Sequence, residues 1–205
     1  WKLTYGKWYN WNPGDTLTYQ FPGNMAIYHM KIFSKRNFTF VGQYSLDTLV
    51  KAGRQVIALD VRGHGESSKP HDIAAYDEGE LAGDVVRVLD HLDLPQADVM
   101  GYSMGGFITM RLLHDAPERV QRAVIAGVGE NYYGRGRLES DAIAAGLRAA
   151  DASSVTDAVP RQFRLFAEQG KNDLEALALC MTRPRHSFTA EEMAGLRVPT
   201  LIVLG

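Results

Sequence analysis

The stretch Gly101-Tyr102-Ser103-Met104-Gly105 places a serine between two glycines, directly after the apolar pair Val99-Met100 and before a segment with helical spacing. A serine hydroxyl is a weak nucleophile until a base takes its proton, and its oxygen must stand clear of the neighbouring chain. A sharp strand-to-helix turn meets the second need, because it lifts the hydroxyl above a sheet while small flanking residues keep the strand and helix from colliding. Gly101 and Gly105 supply that clearance, and Gly106 lets the helix approach the sheet closely. The amide of Met104 faces the same space near the helix N-terminus, where negative charge is favoured. Ser103 is therefore the candidate nucleophile for attack on a carbonyl, and Met104 the candidate oxyanion donor.

The turn works only if strands and helices stand on both sides of it, and the sequence supplies them. "MAIYH", "QVIALD", "ADVMG" and "RAVIAGVG" read as four short, nearly continuously apolar strands. Between them, Glu78 to Leu92 carries Leu81, Val85, Val88, Leu89 and Leu92 at three- and four-residue spacing, the pattern of a one-faced helix. "GGFITMRLLHDAP" reads as a second helix stopped at Pro117. A short helix from Tyr44 to Ala52 would be closed by Gly53 in a left-handed cap. Trp1 to Phe21 suggests a strand or hairpin. Alternating apolar strands and helices predict an α/β fold, a mostly parallel sheet with helices on both faces. From Glu130 to Leu196 the pattern turns helical and polar, which predicts a helical insertion over one edge of the sheet. "VPTLIVLG" then resumes as a buried strand from Val198 to Leu204.

Composition narrows the function classes. The chain has 205 residues, 45% of them hydrophobic, enough for a substantial core. Lys and Arg number 22 against 24 Asp and Glu, so no net field draws in nucleic acid or an anionic membrane. Cys180 is the single cysteine, and an intrachain disulfide is excluded. No apolar run approaches the length of a membrane span, and a cytoplasmic location is expected. The loop "RGHGES" lacks the glycine spacing and lysine of a phosphate-binding loop and no cysteine cluster offers a metal site, so no cofactor and no metal are expected.

At this point the residues resemble the α/β-hydrolase superfamily, in particular its lidded esterase, haloperoxidase-like and C–C hydrolase branches. "VIALDVRGHGESSKP" is similar to the family's segment after its fourth strand, "VMGYSMGG" to its nucleophile elbow, and "VPTLIVLG" to the strand leading to its catalytic acid. "GDTLTYQFPGNMAIYHM" is similar to its opening hairpin and third strand. The resemblance is densest from Val56 to Gly127. It implies a core over 14–129, a lid over 130–196 and a returning core strand over 197–205, with the catalytic acid and histidine expected beyond residue 205.

Carried over, the resemblance makes Ser103 the nucleophile and Met104 one oxyanion donor. His29 matches the histidine of the family's His-Gly pair, but Met30 stands where the glycine belongs, so the expected second donor is the backbone of Met30 or Lys31. Glu130 occupies a place where some members keep their acid. His64 matches a structural loop residue, and His186 is the histidine that reaches Ser103 only if the insertion folds over the sheet. Tyr132, Tyr133, Phe163 and Phe166, with His29, are candidates to line a cleft for a small or medium uncharged acyl compound; Leu177 and Met181 are further candidates. The implied activity is serine hydrolysis of an ester or related acyl compound. A noncatalytic binding protein of the same fold, and a cofactor-free perhydrolase, are compatible with the same residues.

Overall fold

The structure is a computed structural model that describes residues 25–29, 53, 55–65, 67–128, 137–168 and 172–203. The expected hairpin before Pro22 and the helix from Tyr44 to Ala52 lie outside these residues. Gly53 itself has φ +76, the left-handed conformation its expected capping role requires.

Strand β1 (Met25–His29) is followed by β2 (Val56–Asp60), helix α1 (Glu78–His91), β3 (Ala97–Tyr102), α2 (Met104–Asp115) and β4 (Val120–Ala126). Four helices come next: α3 (Arg137–Arg148), α4 (Ala158–Glu168), α5 (Leu174–Thr182) and α6 (Ala190–Gly195). Strand β5 (Thr200–Val203) closes the series. All five strands pair in parallel in the order β2-β1-β3-β4-β5. The α/β expectation holds, and all four apolar segments before the insertion are strands.

The order has a functional consequence. From β1 the chain runs to one side to form β2, then returns to form β3 on the other side. The sheet therefore changes winding direction between β1 and β3, the kind of switch point outside whose strand ends open α/β sheets take their ligands. Register places Tyr28 beside Gly101 and His29 beside Asp60, so β1 ends level with the end of β3.

Helix α1 buries Leu81, Val85, Val88 and Leu89, four of the five residues on its expected face. Asp77 caps it by accepting from the Gly79 amide at 2.8 Å, and Glu78 and Glu80 in its first turn suit the positive end of the helix. Arg62, in the loop after β2, holds Asp84 of this helix through two hydrogen bonds of 2.7 and 3.1 Å. The same guanidinium donates to the Ala75 carbonyl at 2.7 Å, which fixes the loop against the helix.

In the insertion, α3 packs on α4 and α5. Gly146 permits this approach, since a Cβ there would stand 3.0 Å from Pro160 Cβ. The buried guanidinium of Arg164 donates to the Leu147 carbonyl at 2.9 Å and to that of Ala149, at the negative end of α3.

One strand departs from expectation. β5 is not a buried strand: Leu201 is 46% and Ile202 52% exposed. Successive residues of a strand face opposite sides, so neither face of β5 is covered by described residues, and its only described strand partner is β4. It also starts two residues later than expected. Pro199 has no N–H to give a ladder, and its carbonyl accepts from the Ala123 amide at 2.9 Å instead.

Candidate functional site

The turn from β3 into α2 is where strain concentrates. Ser103 has φ +51 and ψ −117, and it is one of two described non-glycine residues with positive φ. Such a conformation costs on the order of 1–3 kcal/mol and persists only where surrounding structure enforces it. The enforcement is visible. The Ser103 amide donates to the Ala126 carbonyl at the end of β4 (2.8 Å), while the Ser103 carbonyl accepts from Gly106 (2.8 Å) and Phe107 (3.3 Å) in the first turn of α2. One residue thus ends a strand and starts a helix without a connecting loop.

The glycines around it are sterically required. A Cβ at Gly101 would collide with the Gly105 carbonyl and with Thr109 Oγ1, which is itself bonded to that carbonyl at 2.8 Å. A Cβ at Gly106 would come within 2.5 Å of Val128 Cγ2 and 3.3 Å of the Ala126 carbonyl oxygen. Strand and helix are in backbone contact on both sides of the serine.

Ser103 is half-buried, and its hydroxyl forms no capping bond to the helix it begins. Met104, at the first helical position, is 4% exposed; its side chain anchors in the core and leaves its amide among those that a helix start cannot bond internally. His29 ends the neighbouring strand β1 and so stands at the same edge of the sheet as Ser103. Met30, Glu130, Tyr132 and Tyr133 lie outside the described residues.

The remaining sequence candidates separate clearly. Phe163 and Phe166 on α4 are half-buried against the main apolar cluster, and Leu177 is fully buried within it. Asp60 is buried, with its carboxylate in the space that a Gly65 side chain would fill. His64 is completely buried, its Nδ1 3.2 Å from the Arg62 carbonyl, and desolvation pushes its pKa down to about 4. It is neutral at pH 7. His71 bonds Asp173, the N-cap of α5, at 2.9 Å. His186 pairs with Glu192 at 3.0 Å and stacks near His114, at the far end of α2. His114 stands eleven residues after Ser103, roughly 16 Å along the helix axis. His186 is therefore remote from the serine. Cys180, the chain's single thiol, is buried, and burial pushes it up to about 12.

Sequence reading missed a buried ion pair. Glu78, at the start of α1, faces Arg183 at 3.4 Å with both side chains at most 2% exposed. Glu78 also accepts from the His186 amide at 3.2 Å, and Arg183 donates to the Cys180 carbonyl at 2.5 Å. Burial raises the Glu78 pKa above the usual carboxylate range, against the pull of Arg183. A first-turn glutamate reads as solvated, and no local signal marks Arg183 as its partner.

The sequence over residues 21–192 matches the family described as the alpha/beta hydrolase fold. The chain belongs to the alpha/beta hydrolase fold family. Among curated relatives, it is 42% identical over 87 residues to the dihydrolipoyllysine-residue acetyltransferase component of the acetoin cleaving system of Pseudomonas putida, covering 41% of this chain and 23% of that protein. It is 28% identical over 162 residues to 3-oxoadipate enol-lactonase 2 of Acinetobacter baylyi, covering 73% of this chain and 60% of that one. The alpha/beta hydrolase chain thus spans less than two thirds of the length of these relatives. An esterase from Exiguobacterium antarcticum has the same fold, with a TM-score of 0.67 at 19% identity over 88% of this chain and 72% of that structure.

Proposed function

We propose that this alpha/beta hydrolase uses Ser103 as the nucleophile of a serine hydrolase acting on a small or medium carboxylic ester or related acyl compound. The observation that carries the reading is the enforced positive φ of Ser103 at a loopless strand-to-helix turn, with glycines where side chains would collide. Ser103 Oγ attacks the carbonyl carbon, and its proton passes to a histidine base. The Met104 amide, with the backbone at Met30, donates to the oxyanion. Collapse of the tetrahedral intermediate breaks the bond to the leaving group, which takes the proton from the histidine. Water then releases the acyl group by the same route. The histidine and its orienting acid are assigned to residues beyond 205, with Glu130 as the alternative acid.

On this reading the insertion over 130–196 acts as a lid above the serine, with Phe163 and Phe166 of α4 as candidates for its apolar lining. The similarity to an enol-lactonase over most of this chain supports oxygen-ester or lactone cleavage over amide cleavage. A panel of aryl esters and lactones of increasing acyl length, assayed with the natural full-length protein, tests this reading. Turnover of short acyl substrates that disappears in Ser103→Ala is expected. Turnover that survives in a folded Ser103→Ala variant would overturn it.

A further inference from the structure

Away from the serine, the far end of α2 gathers three ligating side chains. His114 lies in the last turn of α2, His186 in the segment after α5, and Glu192 on α6. Each offers one ligand atom, and the three atoms lie within 4.8 Å of one another. We propose that His114, His186 and Glu192 form a binding site for one divalent transition-metal ion, with Zn2+ the best match to two imidazole nitrogens and one carboxylate oxygen.

Distances support a single ion. Donors on a tetrahedral zinc are about 3.4 Å apart, given bonds of about 2.0–2.1 Å. Glu192 Oε1 stands 3.0 Å from His186 Nε2 and 3.5 Å from His114 Nε2. The side chains are 36%, 30% and 29% exposed in the order His114, His186, Glu192, which leaves an entry path and room for water as the fourth ligand.

Each ligand is also held by a second partner. His114 Nδ1 lies 2.8 Å from Asp115 Oδ1, so its N–H donates there and Nε2 presents a lone pair to the site, the carboxylate-imidazole arrangement that orients histidine ligands on zinc. Asp115 is itself fixed by Arg111 at 2.5 Å. Glu192 belongs to a capping box: Oε2 accepts from the Thr189 amide at 2.7 Å, which leaves Oε1 for the histidines. The His186 ring packs edge-on against Phe188 at 4.6 Å, and its amide is bonded to Glu78. An ion here joins the end of the insertion to the helix that begins at Ser103.

The sequence, which has no cysteine cluster, leads to an expectation of no metal; these three ligands stand on separate elements without any short spacing signature. The test uses metal-free full chain titrated with Zn2+ by calorimetry, with the thermal midpoint read in parallel and Co2+ absorption as the geometric probe. One Zn2+ per chain, a raised midpoint and the intense visible bands of four-coordinate Co2+ are expected. Glu192→Gln keeps the capping box, so its metal-free midpoint should stay unchanged while Zn2+ affinity falls more than about tenfold; His186→Ala should remove binding, and Asp115→Asn should weaken it about 10- to 100-fold. Absence of saturable binding to the parent chain overturns the proposal. So does Zn2+ stabilisation of equal size in the parent, Glu192→Gln and His186→Ala, which would place the ion elsewhere.

Discussion

The turn at Ser103 and the seam between insertion and core are both tightly specified, but by opposite means. At the turn the constraint is local and made of backbone: Gly101 meets the Gly105 carbonyl, Gly106 meets β4, and the serine adopts a positive φ between them. At the seam it is long-range and made of charge: Glu78 faces Arg183, Cys180 lies 3.7 Å from the Arg62 carbonyl, and buried His64 sits in the same loop. The turn tolerates no added atoms, whereas the seam tolerates no uncompensated charge. Stability lost at each should therefore answer to different variables, steric volume at one and proton binding at the other.

The largest effect is expected at the seam. Glu78→Ala leaves the Arg183 guanidinium buried without its partner, and unfolding by urea should show a loss of about 3–5 kcal/mol. A loss under about 1 kcal/mol would mean that the pair adds nothing to the seam. Gly101→Ala should follow, at about 3 kcal/mol, because its methyl group meets backbone that cannot rotate away. That loss should be independent of pH.

A pH series separates the two regions. His64 binds its proton with a pKa near 6.5 when unfolded and about 4 when folded. The unfolded state thus holds more protons between those values, and stability falls as pH drops through them. Between pH 7.5 and 5 the share due to His64 is about 2 kcal/mol. His64→Gln should flatten the profile by that amount relative to the parent, and an unchanged profile would show that His64 is not buried as a neutral imidazole. The smallest effect has the opposite sign. Ser103→Gly relieves the positive φ and should raise stability by about 1 kcal/mol, while Ser103→Ala should not.

The same contrast explains what could be read from sequence. The strand-to-helix turn is written in six consecutive residues, Gly101 to Gly106, because the glycines that solve its steric problem stand close to the residue that creates it. The strands and α1 were legible because burial imprints a local period, as in Leu81, Val85, Val88 and Leu89. Arg183 and Glu78, or His114, His186 and Glu192, leave no such trace, since each partner reads alone as an ordinary polar residue. β5 shows the limit of composition: Leu201 and Ile202 have the apolar character of a buried strand, but exposure depends on what packs on them.

If the strained turn presents a reactive serine, covalent labelling will find it. The natural full-length protein would be treated with a fluorophosphonate probe and its peptides mapped by mass spectrometry, with Ser103→Ala as control. A single adduct on the peptide containing Ser103, absent from the control, is expected. A folded protein that takes no adduct at Ser103, or takes it at another residue, would contradict it.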